Sequence, residues 1–260
     1  MKIYINNYET NESTIKTKEK LIKTSKKLKI KIVQKPKEAD IICSLGGDGT
    51  FLESSKIAQG IPIIGINCGT LGYLTDVKPK DIEKALKEIQ DKKYYIEERM
   101  MLEGEIIKQN GETIKIPPSL NEIAISKNTF GVIRFDTLID EKQINSYTAD
   151  GILVCTPTGS TAYNLSCGGP IVHPTANILT LTPIAPHTVI NRSIVLSDKS
   201  TIKIKITELK DNTTSYVLYD GHPIEVKTGD IVKIKKSKNI TKIIKLHWQS
   251  FIDTIRNNIN

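Results

Sequence analysis

The sequence predicts an N-terminal doubly wound α/β domain, then a mostly-β domain, then a closing helix. Two observations predict this. The first ninety or so residues alternate apolar strand-like runs with helix-period segments, a β-α-β-α-β-α order that argues for a parallel sheet. From about residue 95 the pattern changes to short alternating segments with turn signals between them.

Lys2 to Asn6 opens the chain as a strand. Glu12 to Lys29 reads as an amphipathic helix with Ile15, Leu21, Ile22 and Leu28 on one side and lysines elsewhere. Lys29 to Val33 alternates as a second strand. Ile41-Ile42-Cys43-Ser44-Leu45 is a mostly apolar run that suits a strand covered on both faces. It stops at Gly46-Gly47-Asp48-Gly49-Thr50, and a helix-compatible stretch from Phe51 to Ala58 follows. A further strand, Ile61 to Ile66, ends in Asn67-Cys68-Gly69-Thr70-Leu71-Gly72-Tyr73-Leu74. A helix from Asp81 to Gln90 then places Ile82, Leu86 and Ile89 on one face.

In the second half the strand-like segments are Met100 to Lys108, Thr113 to Ile116, Asn121 to Ser126, Val132 to Ile139 and Gly151 to Thr156. Ser193 to Leu196, Thr201 to Ile206, Thr214 to Tyr219, Ile224 to Val226 and Ile231 to Ile234 follow. Asn110-Gly111 and Asp220-Gly221 are hairpin turn signals, and Asp150-Gly151 is a turn dipeptide. His247 to Ile259 reads as a helix whose face of Trp248, Phe251, Ile252, Ile255 and Ile259 must be buried on one of the domains. The expected division is residues 1–95, joined by the helix 247–260, and a β-rich domain over 96–246.

The 260 residues are 38% hydrophobic, and no run approaches the ~18 apolar residues of a membrane span. The most apolar long stretch, Ile178 to Val189, is broken by Pro183 and Pro186. The N-terminus starts as a strand without signal-peptide architecture, so the expected address is the cytoplasm. The four cysteines lack C-x-x-C spacing and read as reduced structural thiols, and the four histidines lack metal-ligand spacing. The formal charge of +8 is spread over helices and strand faces without interleaved aromatics. That argues for a solvated surface able to attract anionic nucleotides rather than for a nucleic-acid partner.

Gly46-Gly47-Asp48-Gly49-Thr50 lies at the carboxyl end of a buried strand, where open α/β sheets bind ligands. Glycines there let backbone N–H groups approach a phosphate. An acid among them repels anions, but it suits a group that takes a proton from an attacking hydroxyl or holds a metal ion. The alternative is a tight turn with Asp48 favouring a helix N-terminus. Neither Gly-bearing turn matches G-x-G-x-x-G or G-x-x-x-x-G-K-[ST], so a standard dinucleotide or P-loop site fails. Thr156-Pro157-Thr158-Gly159-Ser160-Thr161-Ala162-Tyr163-Asn164 groups hydroxyls and small residues after a strand. It suits ribose and phosphate contacts, or equally a loop in which Ser160 or Thr161 caps the next helix. Asn121-Glu122 by itself reads as a polar strand start.

Taken in order, these motifs resemble the NAD kinase family. The match comprises Gly46-Gly47-Asp48-Gly49-Thr50, Asn67-x-Gly69-x-Leu71-Gly72-Tyr73-Leu74, Asn121-Glu122, Asp150-Gly151 and the Thr156–Asn164 string. Gly168-Gly169-Pro170, Thr182-Pro183-Ile184-x-Pro186-His187 and Asp220-Gly221 extend it. Diacylglycerol and sphingosine kinases and phosphofructokinases carry relatives of the first motif, whereas the Thr156–Asn164 string is far more specific. The resemblance implies a terminal helix returning to the first domain, and a homotetramer or homodimer with the dinucleotide site between subunits. It implies transfer of the γ-phosphoryl of ATP, as its Mg²⁺ complex, to the 2′-hydroxyl of the adenosine ribose of NAD. Polyphosphate is an alternative donor, and no metal ligands are expected from the protein itself. By the same resemblance Asp48 is the base, and Gly46, Gly47, Gly49 and Thr50 meet phosphates. Asn121 and Tyr163 hold adenine, Tyr73 closes on the nucleoside, and Glu122 binds ribose. Asp150 likewise binds ribose hydroxyls, near the nicotinamide end. Thr161, Ala162 and Ser166 line the adenosine pocket, with Asp220 and His222 also in the NAD-binding set. Two rivals stay open on sequence: a lipid or sugar kinase sharing the Gly-rich turn, and a non-catalytic NAD sensor.

Overall fold

The structure, a computed structural model, describes residues 1–8, 11–69, 72–128, 130–188, 191–210, 213–247 and 250–259. It divides into two compact units: Met1–Arg99 with Ile240–Asn260, and Met100–Asn239.

The first unit is an α/β sheet built from β1 (Lys2–Asn6), β2 (Lys31–Val33), β3 (Ile41–Gly46) and β4 (Ile63–Asn67) in the order β2-β1-β3-β4. These pairings are parallel, and the last turn of chain in β16 (Ile231–Leu246) adds a parallel partner to β4 through Ile243 and Ile63. Every residue of β3 and β4 is buried, which is why both read as unbroken apolar runs. Helices α1 (Glu12–Lys27) and α3 (Ile82–Gln90) set Leu21, Ile82, Leu86 and Ile89 in one cluster with Ile3, Cys43, Leu45 and Ile64. Asn6 follows Ile5 and so faces the other way; there its side chain donates to Ser54 of α2 (Asp48–Ala58) at 2.9 Å. Helices on both faces complete the doubly wound arrangement.

The second unit is a β sandwich. One sheet runs β12 (Ile194–Ser197), β11 (Ile178–Ile184), β10 (Gly151–Cys155), β7 (Glu122–Lys127), β14 (Ser215–Tyr219), β15 (His222–Val226), antiparallel throughout. The other joins β16 to β13 (Ile202–Leu209), β8 (Ile133–Ile139) and β9 (Lys142–Ala149), with β5 (Tyr94–Ile107) and β6 (Thr113–Ser119) beside it. Ile123, Ile125, Ile152, Val154 and Val217 of the first sheet meet Phe135, Ile202, Ile204 and Val232 of the second in one core. The helical pieces here are a 3-10 turn over Thr158–Thr161 and α4 (Tyr163–Ser166).

Several expected boundaries move. Helix α2 starts at Asp48 rather than Phe51, so the acid lies in its first turn. β5 begins at Tyr94, so the expected division near Tyr95 falls inside a strand. β9 and β11 were not expected, and β16 runs on past Ile234 to Leu246. The closing helix, α5 (Phe251–Ile259), belongs to the first unit. Its Phe251 and Ile255 are half-buried, but Ile252 is 66% exposed and lies off the buried face. Trp248 lies outside the described residues, as do Thr70 and Leu71. Among the described residues no helix is long and apolar enough to cross a membrane.

Candidate active site

The first unit carries the Gly-rich turn. Asp48 is held by the loop that follows β4: its Oδ2 accepts the backbone N–H of Tyr73 at 2.8 Å and its Oδ1 that of Leu74 at 2.9 Å. Burial raises the Asp48 pKa; these N–H groups oppose the shift, and Asp76 adds to it. Lys245 pairs with Asp76. The loop itself is pinned by Asn67, whose side chain donates to Thr75 Oγ1 at 3.1 Å and accepts the N–H of Gly69 at 2.8 Å.

The glycines of this turn divide by role. A Cβ on Gly46 would lie 2.3 Å from Thr50 Oγ1, and one on Gly72 would lie 2.2 Å from Asp48 Oδ1. Both are packing glycines, and Thr50 is buried against the first of them. A Cβ on Gly47 or Gly49 would meet nothing within 4 Å. These two leave the turn's backbone open to a ligand.

The second unit carries the other expected residues. Glu122, Ala124 and Ser126 share one face of β7, opposite the sandwich core. The segment after β10 covers part of that face, with Cys167 packing on Ala124, Leu153 and Cys155. Tyr163 is 37% exposed, and the Ser126 side chain favours its ionised form against the effect of burial. Asp150 is ion-paired with Lys127, Nζ to Oδ1 2.6 Å, beside a cavity of about 340 Å³ lined by Ser126, Lys127, Asn128, Tyr216, Leu218 and Pro223. Burial, and then the charge of Asp220, push Glu122 up to about 8. Among the described residues its Oε2 is buried without a hydrogen-bond partner. A carboxyl oxygen so placed is held ready for a polar ligand group.

Several expectations change in detail. Asp220 does sit in the hairpin turn between β14 and β15, with φ 44° at Asp220 and 85° at Gly221. Its carboxylate, however, is turned onto the backbone N–H groups of Leu120, Asn121 and Glu122. Ser160 does not cap α4, whose N-cap is Ala162 without a side-chain bond; Ser160 Oγ instead donates to Pro157 O and accepts the N–H of Val172. Asp150, read as a turn residue, is the bend at which the chain passes from β9 to β10, strands of different sheets. Gly151 is needed because a Cβ would lie 2.1 Å from Ile125 O across the ladder. Thr161 and Ala162 are half-buried, and Ser166 and His222 are exposed. The His222 ring stands 5.4 Å from that of Tyr219.

Sequence reasoning missed Lys127 as the partner of Asp150, and missed Asn164, which accepts from Thr182 Oγ1 at 2.7 Å and donates to Pro170 O at 3.1 Å. The signal was present for Asn164, since it closes the Thr156 string and precedes Gly168-Gly169. A Cβ on Gly169 would lie 2.1 Å from its Oδ1. Among the described residues no three His, Cys, Asp or Glu side chains gather as a metal site.

The first unit thus carries a carboxylate held at a Gly-rich strand end, and the second a buried acid and a hydroxyl-rich segment, parts suited to a nucleotide-handling protein of the α/β-plus-β class. Residues 3–94 match the model of the ATP-NAD kinase N-terminal domain, and residues 120–246 that of the ATP-NAD kinase C-terminal domain. The NAD kinase of Caldanaerobacter subterraneus subsp. tengcongensis is 38% identical over 226 residues, covering 85% of this chain and 79% of that relative. The NAD kinase of Flavobacterium psychrophilum is 39% identical, covering 86% and 76%. The chain belongs to the NAD kinase family. The crystal structure of an NAD kinase from Archaeoglobus fulgidus in complex with ATP is similar with a TM-score of 0.80 and 26% identity, covering 99% of each chain. Yeast NADH kinase complexed with NADH shares the fold, with a TM-score of 0.88 at 23% identity over 100% of this chain and 87% of that one.

Proposed function

We propose that this chain transfers the γ-phosphoryl of ATP to the 2′-hydroxyl of the adenosine ribose of NAD, making NADP and ADP. The observation that carries it is the placement of Asp48, an acid on a Gly-rich turn with each oxygen accepting one backbone N–H. Each oxygen keeps acceptor capacity for a substrate O–H. Burial brings the carboxyl nearer the range of a working base. Asp48 takes the hydroxyl proton as the sugar oxygen bonds to the γ-phosphorus. The bond from that phosphorus to the β–γ bridging oxygen breaks, and its electrons leave with ADP.

Positioning and charge neutralisation supply most of such a transfer. Asp48 adds negative charge, so the offsetting Mg²⁺ enters with the triphosphate as part of the substrate. Gly47 and Gly49 leave room for phosphates, whereas Gly46 and Thr50 shape the turn beneath them. On the second unit Glu122 binds a ribose hydroxyl, Asn121 and Tyr163 hold adenine, and Thr161, Ala162 and Ser166 line its pocket. Asp150 binds ribose hydroxyls near the nicotinamide end, His222 belongs to the NAD-binding set, and Tyr73 closes on the nucleoside. The family resemblance carries these assignments, together with a homotetramer or homodimer, which light scattering on the purified protein measures.

The test is to incubate the protein with Mg²⁺, ATP and NAD and resolve NADP by chromatography. Asp48→Asn should lower turnover by roughly 100-fold or more while keeping NAD binding. NAD binding without any NADP from the unaltered chain would overturn the kinase reading. Full turnover by Asp48→Asn would overturn the base.

A further inference from the structure

Asp220 spends its carboxylate on three consecutive backbone amides. Oδ2 accepts the N–H of Leu120 at 2.7 Å, and Oδ1 accepts those of Asn121 at 2.9 Å and Glu122 at 3.2 Å. Its own N–H donates to Glu122 O at 3.2 Å. The carbonyls of this corner are tied from the other direction. Thr156 donates its N–H to Asn121 O at 2.9 Å and its hydroxyl to Leu120 O at 2.6 Å. Gly159 lies so close that a Cβ would stand 2.2 Å from Asn121 O. The two residues expected to read the nucleoside therefore sit on a backbone fixed from both sides, and Asp220 is one of the fixings.

Among the described residues, the groups whose charge couples to Glu122 are acidic or neutral, and His222, two residues past Asp220, stands against the Tyr219 ring. The titratable groups facing Glu122 are Asp220 from the β14–β15 turn, Cys155 from β10, Tyr163 from α4 and Cys167 just after it. Two ionised carboxylates in one buried corner repel, so one of them keeps its proton. Asp220 has the N–H donors that hold a charge, and Glu122 has an orphaned oxygen.

Resting on the NAD reading above, we infer that Asp220 is a positioning residue that fixes Asn121 and Glu122 and makes Glu122 meet the dinucleotide's sugar as an O–H donor. A proton on Glu122 turns one of its acceptors into a donor and avoids a buried charge. The same arrangement limits the enzyme at high pH, because loss of that proton leaves two charges in the corner.

The experiment is the pH profile of kcat/KM for NAD, at saturating Mg²⁺ and ATP, in the unaltered chain, Asp220→Asn and Glu122→Gln. Asn tolerates the left-handed φ of 44°, so the turn survives. The unaltered chain should lose kcat/KM as pH rises past about 8. Asp220→Asn should lower kcat/KM about tenfold or more through the broken amide clamp, and move the alkaline limb to lower pH by about one pH unit. Glu122→Gln should abolish the limb. A limb at the same pH in Asp220→Asn, or one that persists in Glu122→Gln, would overturn the inference, since a purely structural role for Asp220 moves neither. If the unaltered chain makes no NADP, the kinase reading fails separately. The same limb is then read from the NAD dissociation constant by calorimetry, with the same two outcomes deciding. If Asp220→Asn does not fold, the Glu122→Gln profile decides.

Discussion

Gly72→Ala isolates the placement of Asp48 from its chemistry. The backbone at Gly72 is in a region open to any residue, so the substitution adds only a methyl. That methyl would lie 2.2 Å from Asp48 Oδ1, 2.7 Å from Cγ and 3.0 Å from Oδ2. Relieving the overlap takes a displacement of about 1 Å, either of the carboxylate or of the loop that donates to it. A misplacement of about 1 Å costs a reacting group on the order of 100-fold in rate. The bonds from the Tyr73 and Leu74 N–H groups are strained by the same movement. Stability should therefore fall by about 1–3 kcal/mol, well short of unfolding the domain.

The assay is initial NADP formation at saturating NAD and ATP, with circular dichroism melting of the same samples. The expected result is a kcat about 100-fold down in a folded protein, with the Asp48→Asn and Gly72→Ala double variant no worse than the weaker single. Residues acting as one unit lose their function once, not twice. Gly72→Ala with undiminished kcat would refute the claim that Asp48 must stay where Tyr73 and Leu74 hold it. Additive losses would refute the claim that Gly72 acts through Asp48.

The remaining predictions concern two further glycines and Glu122. Gly49→Ala meets open space, so it should gain about 0.5–1 kcal/mol of stability by helix propensity while raising KM for ATP or NAD, checked by melting and by steady-state kinetics. Gly159→Ala presses a methyl onto the Asn121 carbonyl, which is backbone and cannot swing away; a loss of about 1–3 kcal/mol in urea unfolding is expected. Glu122 is raised from its ordinary 4.5 to about 8, so the folded chain binds that proton more tightly than the unfolded chain. Its contribution to stability is complete below 4.5 and is lost as pH climbs to about 8; Glu122→Gln should flatten that slope by about 2–4 kcal/mol in NAD-free melts across the window.

The parallel strands were legible because burial on both faces leaves an unbroken apolar run, as in Ile41 to Leu45 and Ile63 to Ile66. β9 escaped because it is the outermost strand of its sheet and its first residues, Lys142, Gln143 and Ile144, are exposed without alternation. β11 was hidden by Pro183. That residue pairs with Ile152 of β10 and lies next to the end of β11, beyond Leu181, where the pairing with β12 stops. Pro117-Pro118 are tolerated in β6 for a related reason: they oppose the register shift between Leu102 and Gly104. β16 read as ending at Ile234 because Lys235-Lys236-Ser237-Lys238-Asn239 breaks the apolar pattern where the strand leaves one unit for the other.

Asp48 was conspicuous as an acid among glycines, and its partners were not. They lie 25 and 26 residues on, and they bond through backbone N–H groups that carry no sequence signal. Asp220 shows the same limit more sharply, since its turn is local and its carboxylate reaches amides about a hundred residues away in the chain. This difference in partners also separates the two acids chemically. Burial lifts the pKa of both, and a second carboxylate adds to each, Asp76 for Asp48 and Asp220 for Glu122. What separates them is that Asp48 accepts two backbone N–H bonds that favour its charge, whereas Glu122 leaves an oxygen unpaired. Carboxyl groups in such different hydrogen-bonding surroundings can take opposite parts in proton chemistry. Asp48 is the one able to stay ionised and accept a proton, and Glu122 is the one able to keep a proton and donate a hydrogen bond. Exchanging their environments, rather than their identities, is what would exchange their roles.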